Sequence, residues 1–234
     1  MKITAISTPI FHRKEPLVDF VQRVVPSLRD GDILAITSKL FSVAEGRWVP
    51  ADTQEKESLI REEADHDLGE IGFGVRLTIA RGLFLPSAGI DASNVEGGGY
   101  LLYPVDPFAS AQVLWKALRQ VYGISQLGIL VTDSHTSPLR RGVTGIALAH
   151  WGFSGLCNRV GEKDLFGRPL QATQSNLADG LAAAAVLLMG EAAEQTPLAL
   201  IEGAPVVFQD ETSSREMILS PEEDLYYQLY KDRM

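Results

Sequence analysis

The order of apolar and polar positions divides the chain into short strands and helices with no regular alternation. Residues 2–7 read as a strand. A turn follows at Thr8-Pro9-Ile10-Phe11, because Pro9 has no N–H for a ladder. Apolar residues at 17, 18, 20, 21, 24, 25 and 28 have helical spacing. After the turn Asp30-Gly31-Asp32, residues 33–36 are wholly apolar and predict a buried strand. Residues 53–68 are charged at helical spacing, with Asp52 or Thr53 as the cap, and predict a solvated helix. Residues 76–85 alternate as strands, and a Gly-, Ser- and Asn-rich loop runs from 86 to 100. A helix is predicted over 109–122, with Gly123 as its left-handed cap. The apolar run 127–131 predicts a strand that stops at Thr132-Asp133-Ser134-His135. The run 143–151 is apolar again, and 161–169 is a polar loop. An Ala-rich helix is expected over 177–189, ending at Gly190. Strands follow at 198–201 and 206–208, then a mobile loop at 212–215 and a closing helix at 222–230. The mixture predicts an α+β fold, with mixed sheets and flanking helices, rather than a doubly wound one.

One pattern recurs three times: an apolar strand running into a polar cluster. Residues 33–36 end in Thr37-Ser38-Lys39, the apolar 82–90 in Asp91-Ala92-Ser93-Asn94, and 127–131 in Thr132-Asp133-Ser134. Loops held at the ends of rigid strands often carry function. If the three ends converge, they supply two carboxylates, a lysine, an asparagine and several hydroxyls. Such oxygens suit Mg²⁺ or Mn²⁺, which bridge to substrate phosphates. Lys39 offers a point charge, and Arg140 and Arg141, just beyond the third cluster, offer planar forks for phosphate or carboxylate.

Composition narrows the options. The 234 residues are 45% hydrophobic and 22% charged, and 21 basic against 30 acidic side chains give a formal charge of −9. That field repels nucleic-acid phosphates, and no basic run exceeds two residues, so nucleic acid is not an expected partner. A single cysteine, Cys157, precludes an internal disulfide. No apolar run spans a membrane and the N-terminus does not read as a signal peptide, which together predict a cytoplasmic protein. Walker-type, dinucleotide, HExxH, CxxC and GxSxG patterns are absent. Gly97-Gly98-Gly99 reads as a flexible turn rather than a phosphate cradle, and His135 as a loop residue.

Several stretches resemble, in the same order, the γ-glutamyl ligase family of deazaflavin coenzyme F420 biosynthesis. They are SKLFSVAEGR (38–47), AGIDASN (88–94), LLYPVDPFASA (101–111), TDS with its Arg-Arg-Gly, GEKDLFGRPL (161–170) and LADGLAAAAVLLMGE (177–191). The resemblance implies one ligase-like unit over 1–234, with room for two intimately packed subdomains, and an intertwined homodimer. It implies joining of L-glutamate, through its amine, to a small-molecule carboxylate acceptor. GTP or ATP would be the co-substrate, with two Mg²⁺ or Mn²⁺ sites and K⁺ as a further cation. Carried across by motif, the metal ligands would be Asp91, Asp133, Ser134 and Glu191. Nucleotide contacts would be Thr8, Pro9, Ile10, Phe11, Ser38, Lys39, Asn94 and the segment Met189, Gly190 to Thr196. Lys39, Asp133, Arg140 and Arg141 would act at the reacting groups.

Two positions depart from the family pattern. Val43 stands where a second lysine is usual, and Thr136-Ser137-Pro138 where Gly-Arg-Pro is frequent. These changes, with TDSHTSPLRRGVTG and QTPLALIEGAPV, look closer to a branch thought to extend folates. The competing readings are a non-catalytic nucleotide- or pterin-binding relative and a metal-dependent phosphohydrolase.

Overall fold

A computed structural model describes residues 1–234. In chain order the elements are β1 (Lys2–Ile6), α1 (Leu17–Val24), β2 (Asp32–Thr37), α2 (Ser38–Ala44), β3 (Trp48–Val49) and α3 (Lys56–Glu63). Next come β4 (His66–Gly72), β5 (Val75–Ala80), β6 (Leu83–Pro86), β7 (Tyr100–Leu101), α4 (Pro107–Tyr122), β8 (Leu127–Thr136) and β9 (Val143–Trp151). The last are β10 (Leu156–Asn158), β11 (Gln174–Asn176), α5 (Leu177–Met189), β12 (Leu198–Glu202) and α6 (Tyr227–Tyr230). The main sheet has the order β1-β12-β2-β8-β9, with β2 and β8 parallel and the other pairs antiparallel. A second sheet is β4-β5-β6, and β3-β7 and β10-β11 are two-stranded ribbons. The architecture is α+β with mixed sheets, as the sequence predicts.

The central strand shows why its run is wholly apolar. Side chains alternate across a strand. Leu34 and Ile36 of β2 pack with Phe20 of α1 and Leu114 and Leu118 of α4 on one face. Ile33 and Ala35 pack with Ala178, Ala182 and Ala185 of α5 on the other. A strand covered on both faces has no polar face to show. The alanines of α5 give a thin helix side that can lie close to the sheet. Each long helix is punctuated locally. The Asp106 carboxylate accepts from the Ala109 N–H at 3.0 Å at the start of α4, and Gly123 closes it at φ 65°. Asn176 caps α5 by accepting from the Asp179 N–H at 3.0 Å.

The structure corrects several boundaries. The helix expected over 53–68 is only α3, and His66–Gly72 is a strand. Leu59, Ile60 and Leu68 are all buried, so their spacing fits either element. Pairing decides it: the Asp65 N–H donates to the Ile79 carbonyl at 2.8 Å, opening the β4-β5 ladder. Helix α1 stops at Val24, two residues before Pro26. Residues 206–208 form only an isolated bridge, Phe153 with Phe208. The expected helix over 222–230 is a single turn at Pro221–Glu223 followed by α6. Strand β8 does not end at Thr132. It runs on through Asp133, Ser134 and His135 to Thr136, paired with β9 after a bulge between Val131 and Thr132.

Candidate active site

The C-terminal end of β2 lies beside the middle of β8, because the two strands are parallel and in register through Thr37 and Thr132. The chain turns directly from Thr37 into α2, so Ser38 and Lys39 stand at that end. The Ser38 hydroxyl donates to Asp133 Oδ2 at 3.1 Å. The Asp91 loop arrives from the second sheet. Lys39 Nζ lies 2.6 Å from Asp91 Oδ2 and 3.3 Å from Ser93 Oγ. The Ser93 N–H and hydroxyl both donate to the Asp91 carboxylate, at 2.7 and 2.8 Å. The three polar clusters therefore converge, although only the first closes a strand, since Asp133 and Ser134 lie within β8 and Asp91 follows the turn after β6.

The segment after α5 closes the other side. Ser134 Oγ donates to Glu191 Oε2 at 2.6 Å, and Asn94 Nδ2 to the Ala192 carbonyl at 3.1 Å. The Thr196 hydroxyl donates back to the Met189 carbonyl. The Thr8 N–H donates to the Gln195 carbonyl at 2.9 Å, and Thr37 N–H to Pro197 at 3.0 Å, which ties this segment to the ends of β1 and β2. Asn94 and Gln195 adopt left-handed backbone, φ 52° and 55°. That conformation is common for Asn and costly for Gln.

These segments enclose a cavity of about 650 Å³. Of the residues singled out in sequence, Thr8, Pro9, Ile10, Phe11, Lys39, Asn94, Asp133, Ser134, Met189, Gly190, Glu191 and Thr196 line it. Ser38 and Asp91 stand just behind, bonded to Asp133 and Lys39. Val43, the position that departs from the family pattern, lies on the cavity wall. Arg140 and Arg141 are not brought in. They are exposed on the turn joining β8 to β9, outside the lining. Neither is in a salt bridge, and the acid of the 161–169 loop, Asp164, pairs instead with Arg168 at 2.9 Å. At Gly97-Gly98-Gly99 the Trp48 indole N–H donates to the Gly98 carbonyl at 2.8 Å, and Arg13 lies 3.6 Å over the Trp48 ring.

The electrostatics are lopsided. Lys39 is the one basic side chain of the lining, against Glu96, Asp133, Glu191 and Glu194. Burial pushes the Asp133 carboxyl above its usual range, only partly opposed by Tyr103, the Ser134 N–H, Ser38 and Lys39. For Asp91, burial acts upward too, but Lys39 and Ser93 outweigh it and the net shift is down. Asp91, Asp133 and Glu191 do not gather into one cluster of three metal-binding side chains. Tyr103 carries no role in the sequence reading, because an aromatic after Leu101-Leu102 and before Pro104 reads as core.

The structure thus presents carboxylates, a lysine and hydroxyls around one acidic cavity. The model of the F420-0:γ-glutamyl ligase family matches residues 5–203, and the chain belongs to that family. It is similar to coenzyme F420:L-glutamate ligases. The relative from Archaeoglobus fulgidus is 34% identical, over 93% of this chain and 92% of its own length. The one from Methanopyrus kandleri is 32% identical over 93% and 95%, and that from Methanocaldococcus jannaschii 32% over 97% and 96%.

Proposed function

We propose that this protein is a nucleotide- and divalent-cation-dependent γ-glutamyl ligase, which joins the amine of L-glutamate to the carboxylate of an acceptor such as coenzyme F420-0. The carrying observation is a roomy cavity with one lysine against four acids, where the three polar clusters meet. Such a cavity repels a polyphosphate unless cations offset its charge. The similarity to coenzyme F420:L-glutamate ligases supports the glutamate and deazaflavin substrates. The departures at Val43 and Ser137 keep a folate-type acceptor, and ATP in place of GTP, in the proposal.

The donor set fits hard cations, since it is made of oxygen alone. Asp133, Ser134 and Glu191 form the better-prepared side, joined by the Ser134–Glu191 bond. Asp91 can take a cation by releasing Lys39, which frees the lysine for phosphate. When bound, divalent ions would supply charge neutralisation for phosphoryl transfer. The rest falls to the chain. The apolar wall of Ile10, Phe11, Leu40 and Val43 can cover a ring system while the 190–196 segment fixes the adjoining polar groups. Lys39 steadies the transferred phosphoryl group, which passes to the acceptor carboxylate as an acyl phosphate. The glutamate nitrogen then attacks that carbonyl, phosphate leaves with the C–O bonding pair, and the amine proton passes to solvent. Arg140 and Arg141 can reach a substrate carboxylate if their turn folds toward the cavity or a second copy faces it. A homodimer is part of the proposal.

A panel of GTP or ATP, Mg²⁺ or Mn²⁺, and deazaflavin, dihydropteroate or tetrahydrofolate acceptors tests the reading. Mass spectrometry should show a glutamyl-extended acceptor formed with nucleoside diphosphate and phosphate. Phosphate release that needs no amine would instead mark a phosphohydrolase. Cation binding with no turnover in any combination would mark a non-catalytic relative.

A further inference from the structure

Lys39 and Asp91 reach the cavity from different parts of the fold, and a closed circuit of bonds sets one against the other. Lys39 stands in the first turn of α2, which ends at Ala44. Just past that end, the Arg47 N–H donates to the Ser42 carbonyl at 2.8 Å, so Arg47 is tied to the helix. Its own carbonyl accepts from the Leu102 N–H at 2.9 Å, and its Nε donates to the Tyr103 carbonyl at 2.9 Å. Arg47 therefore holds two successive residues, one through its backbone and one through its side chain. The residue before them, Leu101, pairs with the backbone of Asp91 through N–H···O bonds of 2.8 and 3.1 Å. Asp91 Oδ2 lies 2.6 Å from Lys39 Nζ, which returns the circuit to α2.

The Arg47 side chain is itself pinned. Its Nη2 lies 2.6 Å from Glu63 Oε2, at the end of α3. Arg81 Nη2 reaches the same oxygen at 2.9 Å, and Arg81 Nε donates to the Pro104 carbonyl at 3.3 Å. One edge of the Arg47 guanidinium thus serves a backbone carbonyl and a carboxylate together. That needs a planar fork, and a lysine ammonium supplies only a point charge.

The geometry points to Arg47, pinned by Glu63, as the positioning residue that holds the Asp91 loop in register with Lys39. The inference rests on the proposed roles of Lys39 toward phosphate and Asp91 toward a cation. When a cation parts Asp91 from Lys39, their direct bond is lost, and the route through Arg47 still sets their spacing. A misplacement of about 1 Å at reacting groups can cost about a hundredfold in rate.

The test compares wild type, Arg47→Lys, Glu63→Gln, Asp91→Asn and Arg76→Lys in the full chain. Arg76 is the control: it forks Asp67 in the second sheet at 2.6 to 3.1 Å, outside the circuit. The readouts are turnover with GTP, Mn²⁺, glutamate and coenzyme F420-0, calorimetric Mn²⁺ affinity beside a non-hydrolysable GTP analogue, and melting temperature. Arg47→Lys should lower kcat and Mn²⁺ affinity about tenfold or more, with KM for glutamate unchanged. Glu63→Gln should lower both in the same direction. Arg76→Lys should lower the melting temperature as much as Arg47→Lys does, yet keep wild-type kcat and Mn²⁺ affinity. Equal kcat and Mn²⁺ affinity in the Arg47 and Arg76 variants overturns the positioning role. If Arg47→Lys does not fold, the same comparison with Glu63→Gln decides. Absence of Mn²⁺ binding by wild type, or wild-type kcat and Mn²⁺ affinity in Asp91→Asn, overturns instead the reading of Asp91 beneath it.

Discussion

At the scale of single residues, Asp133 is the most constrained group of the cavity. Burial raises its carboxyl, and Tyr103, Ser134 and Ser38 offset only part of that cost. A carboxylate kept under such conditions is a functional candidate. Asp133→Asn keeps the shape and removes the charge. It should lower turnover by more than about a hundredfold, with the melting temperature equal to or above that of wild type. Near-normal turnover would sink the assignment. Val43 offers a converse test. It faces the cavity from α2, one turn beyond Lys39. Val43→Lys adds a cation to the apolar side of an acid-rich cavity and should tighten GTP about tenfold, the scale of one charge-assisted hydrogen bond. An unchanged dissociation constant would mean that the phosphates lie elsewhere. The stretches holding Asp91, Lys39 and Asp133 stood out in sequence because each is a polar cluster that follows an apolar run.

At the scale of elements, legibility followed coverage. Strand β2 and helices α4 and α5 read clearly because each buries continuous apolar residues, and the two helices also have local caps. The 53–68 segment misread because α3 and β4 each bury one or two residues, and the pairing partner β5 lies outside the segment. The end of β8 misread because its outer half is polar and gains order from β9 rather than from burial. The turn Ser214–Glu216, in the stretch expected to be mobile, carries a specific anchor. Fully buried His150 on β9 has its Nε2 3.2 Å from Glu216 Oε2, while Nδ1 has no partner. Burial holds the His150 imidazole below its usual 6.5, against the pull of Glu216. Burial acts to raise Glu216, but hydrogen bonds from Ser154, Gly155 and His150 outweigh it, and its net shift is down. The folded protein therefore binds both protons less readily than the unfolded chain. The His150 contribution is full above the unfolded value of 6.5 and shrinks as pH falls from there toward its folded value. The Glu216 contribution is lost in turn, as pH falls from 4.5 through its folded value. Calorimetry from pH 8 to 5 should show melting temperature declining below about pH 6.5. His150→Gln should flatten that limb, and an equally steep limb in the variant would assign it to other groups.

At the scale of the molecule, several large apolar side chains stand in solvent at projecting positions. Phe73 and Ile71 are exposed at the β4-β5 hairpin, Leu165 and Phe166 at the tip of the 161–169 loop, and Leu225 and Leu229 near the C-terminus. Scattered exposed leucines are ordinary, but apolar residues at the tips of projecting hairpins are poorly placed in water and suit a surface that another chain covers. No element of this chain reaches back to shield them. The proposed homodimer offers that cover, and a facing copy would also give the exposed Arg140 and Arg141 a route to a substrate. Light scattering of the full chain at micromolar concentration should give twice the 25.5 kDa monomer mass. Phe73→Asp with Phe166→Asp should shift it toward the monomer, because a buried unpaired carboxylate at an interface is costly. If the assembly depends on these tips and turnover depends on the assembly, the double variant should lose activity at low protein concentration and regain part of it as concentration rises. A monomeric wild type would remove the dimer from the proposal. A monomeric variant with full turnover would confine the active site, arginine pair included, to one chain.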